Sequence, residues 1–140
     1  MPRGLMEFAG ERTLTRAIED HFGPLGWFEG AATLTRDGVG FIYTEAGLLT
    51  LGTAAALRAE RCYLWRADGR LIEVLFHDHR PFHRFEAHAG GMRERHCCDP
   101  DIYDVVYALD DWPTWRSNWT VTGPRKRYTL RSDYVPTNGE

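Results

Sequence analysis

Almost every stretch of this chain alternates apolar and polar residues with a period of two, and turn signals break the alternation roughly every 8–12 residues. A period of two puts successive side chains on opposite faces of a strand, so the pattern is that of half-buried β-structure. Ten runs fit it, at residues 12–20, 27–36, 40–45, 57–66, 71–78, 81–88, 94–98, 103–109, 119–122 and 126–134. The first also reads as a short amphipathic helix, because Leu14 and Ile18 are four apart. Asp37-Gly38 and Asp68-Gly69 are hairpin turns, and Ala46-Gly47 reads as another tight turn. Only residues 53–59, TAAALRA, have a helical composition. Strands in series on short connections form an up-and-down meander, and closing the meander removes its exposed edges. The expectation is all-β: one domain over 1–140, a single closed antiparallel barrel of about 8–10 strands. At most one or two short helices accompany it, and 1–10 and 135–140 are irregular.

Composition narrows the function. Aromatic residues make up 13% of the chain, including five Trp, and suit a pleated, half-buried surface. The net charge of −3, with Arg125-Lys126-Arg127 as the one basic run, offers no footprint for nucleic acid. No apolar stretch is long enough to span a membrane as a helix, and MPRGLMEFAGERTLTR lacks the apolar core of a secretory leader. A cytoplasmic protein without membrane partner is expected, as a monomer or homodimer. Three Cys, two of them adjacent, make a poor disulfide framework. Cys97 and Cys98 face opposite ways on a strand, and Cys98 is read as the buried thiol.

Several motifs carry a resemblance. They are Gly26-Trp27-Phe28-Glu29-Gly30-Ala31, Tyr43-Thr44-Glu45-Ala46-Gly47, Arg61-Cys62-Tyr63-Leu64-Trp65, and Phe76-His77-Asp78 with Arg80-Pro81-Phe82-His83. His96-Cys97-Cys98-Asp99-Pro100-Asp101-Ile102-Tyr103 and the run from Trp119 to Tyr128 complete them. With these the chain resembles, from about Phe8 to Tyr134, an uncharacterised domain-of-unknown-function family of small lipocalin-like (calycin) barrels. The resemblance implies the fold and carries no activity. The Gly-x-Trp signature of true lipocalins is replaced by Gly10-Glu11-Arg12.

Chemistry-bearing residues concentrate in three places. His77, His79 and His83 lie on the hairpin around His79-Arg80, with His83 opposite in phase to Phe82. A cupin metal motif fails there, since Glu86 is too far from His79, so neither metal nor cofactor is expected. His96, Cys98, Tyr103 and Tyr107 share one face if Asp99-Pro100-Asp101 is a turn. That wall suits proton transfer by His96, Tyr103 and His83, or a structural clamp in which His96 bonds an Asp. In the last segment a bulge at Gly123-Pro124 would keep Trp119, Val121, Lys126, Tyr128 and Leu130 on one face. Lys126 would then point inward, toward Glu45 or Glu29 or toward an anionic ligand. Arg16, Arg61, Tyr43, Glu45 and Trp65 add polar groups among aromatics, as specific small-molecule sites do. The reading is a barrel holding an aromatic or anionic metabolite on Lys126, Tyr128, Trp119, Tyr43, Glu45, Arg61 and Trp65. Non-oxidative acid–base catalysis (isomerisation, cyclisation or lyase chemistry), a plain carrier and a metal-dependent enzyme using the histidines are its alternatives.

Overall fold

A computed structural model describes residues 2, 4–69, 71–86 and 92–137; of 92–94 and 98 it describes the backbone alone. After a 3-10 turn at Leu5–Phe8 come ten strands: β1 (Gly10–Asp20), β2 (Gly26–Asp37), β3 (Gly40–Leu51), β4 (Leu57–Asp68), β5 (Leu71–Phe76), β6 (Pro81–Glu86), β7 (Met92–Cys98), β8 (Asp101–Ala108), β9 (Trp115–Thr122) and β10 (Arg127–Pro136). They form one antiparallel sheet in the order β6-β5-β4-β3-β2-β1-β10-β9-β8-β7, a meander closed by pairing the first strand with the last. The barrel is nearly rather than fully closed. Among the described residues no hydrogen-bonded ladder joins β6 to β7; rings bridge that seam instead, with Phe82 on β6 against His96 on β7 at 5.4 Å. Among the described residues no helix is long and apolar enough to cross a membrane.

The alternation places the core as the period demands. Leu14, Phe28, Leu34, Tyr43, Trp65, Val105, Tyr107 and Tyr134 point inward and are buried. Three local expectations are corrected. Residues 53–59 form no helix: they lead directly into β4, whose Leu57 pairs with Leu49, and seven residues are too few to nucleate a helix against that pairing. Ala46-Gly47 is no turn, since β3 runs straight through it. Gly47 lies opposite Gly30 in the β2–β3 ladder, where a Cβ on either would strike the partner's backbone, so glycine serves close approach rather than reversal. The N-terminal ten residues are not irregular throughout, because Phe8 in the 3-10 turn is buried as a plug. The expected 81–88 strand ends at Glu86 among the described residues, and His88 lies outside them, as does the side chain of Cys98. Cys62 and Cys97 are exposed free thiols.

Candidate functional site

One end of the barrel is sealed by the chain's own start. Phe8 meets Trp65, Phe85, Trp112 and Trp115 edge-on, with centroids 4.7–6.0 Å apart. Arg12 latches this plug: its Nη1 donates to the Phe8 carbonyl at 2.9 Å, its Nε to the Pro113 carbonyl at 3.2 Å, and its guanidinium lies over Trp112. Above the plug, stacked rings (Trp115 on Tyr134 at 3.7 Å, Phe85 on Tyr107 at 3.9 Å) make a floor. The interior then opens into a cavity of about 270 Å³ that reaches the opposite end.

Each side of that cavity has a distinct character. On β1, β3 and β10 stands a buried polar wall. Arg16 donates to both carboxylate oxygens of Glu45, at 2.9 and 2.6 Å, and to Ser132 Oγ at 2.7 Å. Tyr43 donates its hydroxyl to Glu45 Oε2 at 2.6 Å and lies 3.0 Å from the Tyr134 hydroxyl. Burial pushes the Glu45 carboxyl up, but the Arg16 guanidinium outweighs it and holds the group below its ordinary value. Burial raises both tyrosines, so this wall is ionic at Arg16 and Glu45 and neutral at the phenols.

The facing wall, on β5, β6, β8 and β9, is aromatic. Phe82 stacks on Trp119 at 5.1 Å and on Phe76 at 4.6 Å. His83 sits among these rings with Nε2 2.6 Å from the Tyr107 hydroxyl. Burial, helped by nearby His96, pushes His83 down to about 3, so its ring is neutral near pH 7. Its Nδ1 is buried with no hydrogen-bond partner among the described residues. At the mouth stand His96 and Tyr103, cross-strand partners on β7 and β8, with Tyr128 and the exposed Arg61.

Of the residues singled out in the sequence, His83, His96, Tyr103, Tyr128, Trp119, Tyr43, Glu45, Arg61 and Trp65 all line this one cavity. Lys126 does not. It sits in the β9–β10 turn, its side chain 46% exposed, paired with Asp101 at 3.2 Å rather than with Glu45 or Glu29. The loop spanning 123–126, closed by Gly123 N–H donating to the Lys126 carbonyl, resets the phase of β10, so no bulge is needed to keep Tyr128 and Leu130 inward. Glu45 has Arg16 instead, and Glu29 bonds Trp27 Nε1 on the outer face. His83 is not opposed to Phe82: a bulge between Val74 and Leu75 turns both toward the cavity. His96 makes ring contacts with Phe76, Phe82 and Tyr103, and among the described residues no hydrogen bond joins it to an Asp. His77 and His79 are exposed in the turn, where His79 adopts φ 72°.

Phe76, Tyr63, Trp115 and Tyr134 line the cavity too and were not singled out. A signal for one existed: Trp115, Ser117, Trp119 and Val121 form an unbroken period-two run, and a strand begun at 119 cuts it in half.

A family model described as "Family of unknown function (DUF6314)" matches residues 8–136. No curated protein matches the chain. Among solved structures, the S-type phycobiliprotein lyase CPES from Guillardia theta is similar, with a TM-score of 0.63 over 94% of this chain and 89% of that one. The two are 7% identical, so the likeness is one of fold.

Proposed function

We propose that the chain, which belongs to the DUF6314 family of unknown function, is a small-molecule-binding barrel that holds a planar aromatic metabolite in its interior. The observation that carries this is the cavity of about 270 Å³ with rings stacked along one wall and a hydrogen-bonded polar wall facing them. An apolar cavity of about 150 Å³ takes a benzene, and drug-sized ligands need roughly 300–1,000 Å³, so a one- or two-ring molecule fits. Sharing a barrel with a phycobiliprotein lyase supports interior binding as a use of this fold.

Binding is favoured over turnover by the acid–base state of the deep groups. His83 is a neutral imidazole near neutral pH, so it is no ready acid and only a weak base, and burial keeps Tyr107 protonated. Catalysis therefore has its best support at the mouth, where His96 and Tyr103 pair across β7 and β8 with ring centroids 6.2 Å apart. Non-oxidative isomerisation, cyclisation or lyase chemistry would use that pair.

Native mass spectrometry of the purified protein, with tryptophan quenching by one- and two-ring aromatics, tests the reading. A retained or quenching aromatic whose affinity falls at least about tenfold in Trp119→Ala, the loss of a stacked ring, is the expected result. Quenching that is absent, or unchanged in Trp119→Ala, would overturn it.

A further inference from the structure

The formal charges lining the cavity do not cancel. Arg16 and Arg61 face it, and Glu45 is the one carboxylate among the described residues that does. Glu45 is already committed: it takes two hydrogen bonds from Arg16 and one from Tyr43. Arg61 is directly across the β3–β4 ladder from Glu45, yet among the described residues no carboxylate forms an ion pair with it. Lys126, in the β9–β10 turn, is matched by Asp101. Arg61 also acts on Glu45 and on the Tyr63 hydroxyl, but it has no carboxylate of its own among the described residues. It is thus the surplus positive charge of the cavity, and its exposure at the mouth lets water carry the cost until a ligand arrives.

Its position is as telling as its charge. A second, smaller chamber of about 80 Å³ lies between β1, β2, β3 and β4, walled by Ile18, Phe28, Leu49 and Ala59 and bordered by Glu60, an exposed carboxylate 3.8 Å from Arg58. The Arg16–Glu45 pair stands between it and the main cavity, and Arg61 borders both. A group held by Arg61 sits where the two chambers meet the opening, with the phenol rings of Tyr63 and Tyr128 beside it.

We propose that Arg61 is the specificity-determining residue of the site and that the ligand is an aromatic anion, its ring between the cavity walls and its carboxylate, sulfonate or phosphate on the Arg61 guanidinium. This rests on the reading of the cavity as a binding site and adds the ligand's charge. A guanidinium suits the role because it pairs with a planar carboxylate through two parallel hydrogen bonds and stays charged at any physiological pH.

The probes are 2-naphthoate and its neutral isostere 2-naphthamide, titrated into the intact protein and read by tryptophan quenching. Naphthoate is expected to bind about tenfold or more tighter than naphthamide, the worth of one charge-assisted hydrogen bond. In Arg61→Met the preference disappears, naphthamide affinity stays within about twofold, and added salt weakens naphthoate binding in the wild type alone. Because Arg61 is exposed, Arg61→Met should melt with the wild type; Arg61→Lys, which keeps charge but loses the fork, should fall between. Equal affinities in the wild type, or a preference that survives Arg61→Met, overturn the charge assignment and leave the cavity reading standing. Failure of both probes to bind the wild type overturns the two together.

Discussion

At the scale of single residues, Arg16 and Glu45 matter most to the fold. Two opposite charges this deeply buried are tolerable because every strong donor and acceptor is met: Glu45 by Arg16 and Tyr43, Arg16 by Glu45 and Ser132. Removing one partner strands the other. Glu45→Gln should cost about 3–5 kcal/mol in urea unfolding, whereas the double change Arg16→Met with Glu45→Leu should cost much less, because no charge is left unpaired. His83 gives a second outcome. Its folded value of about 3 lies below its ordinary 6.5, so the unfolded chain takes up the proton first as the solution is acidified. The stabilisation from a neutral His83 is complete above pH 6.5 and is lost as pH falls toward 3, by up to about 1.4 kcal/mol per pH unit. Glu45, also held below its ordinary 4.5, adds to the loss only at the acid end. Urea midpoints at pH 7 and pH 5 should therefore differ in the wild type and converge in His83→Phe.

At the scale of elements, the sheet is shaped where two strands approach more closely than side chains allow. Gly30 and Gly47 face each other across β2 and β3, and a Cβ built on Gly30 would strike the backbone carbonyl of Ala46. Backbone cannot step aside as a side-chain tip can. Gly30→Ala should destabilise by about 3 kcal/mol, at the upper end of overpacking costs, without exposing any new surface in the folded state. Thermal melting checks this, and Gly38→Ala, with open space at its Cβ position, is the control that isolates crowding from the smaller cost of its positive φ. The bulge between β5 and β6 is the second shaping device. It spends one residue of pairing to put Phe82 and His83 on the same side, which builds the stacked wall of the cavity.

At the scale of the whole molecule, the barrel is a ribbon whose two ends meet with no hydrogen-bonded ladder between them among the described residues. Its continuous ladders run from β6 round through β1 and β10 to β7, and the seam is held by ring contacts. Ladder hydrogen bonds protect amides on both sides of an inner strand, while an edge strand is protected on one. Hydrogen–deuterium exchange should be faster in β6 and β7 than in β1, β2 and β10, and binding of an aromatic ligand should slow it there, since Phe82 and His96 touch both cavity and seam. Uniform protection around the barrel would show that the seam closes in solution.

Much of this was legible in the residues. All ten strands and their up-and-down order follow from alternation, and so does the inward phase of Tyr103, Val105 and Tyr107, because the face of a strand is set by a residue's two nearest neighbours. The same logic brought nine of the ten candidate ligand and catalytic residues to one cavity. What alternation cannot encode is the identity of the partner. Arg16 and Glu45 are 29 residues apart, and Tyr43 and Tyr134 are 91 apart; they meet through register and closure. The alternation points Lys126 inward, to Glu45, Glu29 or an anionic ligand, whereas it sits half-exposed against Asp101, brought to it by the pairing of β8 with β9. Residues 53–59 carried helical propensity, and β4 overrode it, because pairing with β3 outweighs a few tenths of a kcal/mol per residue. Local period determined which side of the wall each residue occupies; the tertiary structure decided which charges pair with each other, Arg16 with Glu45, and which, Arg61, stands at the cavity without an ion pair among the described residues.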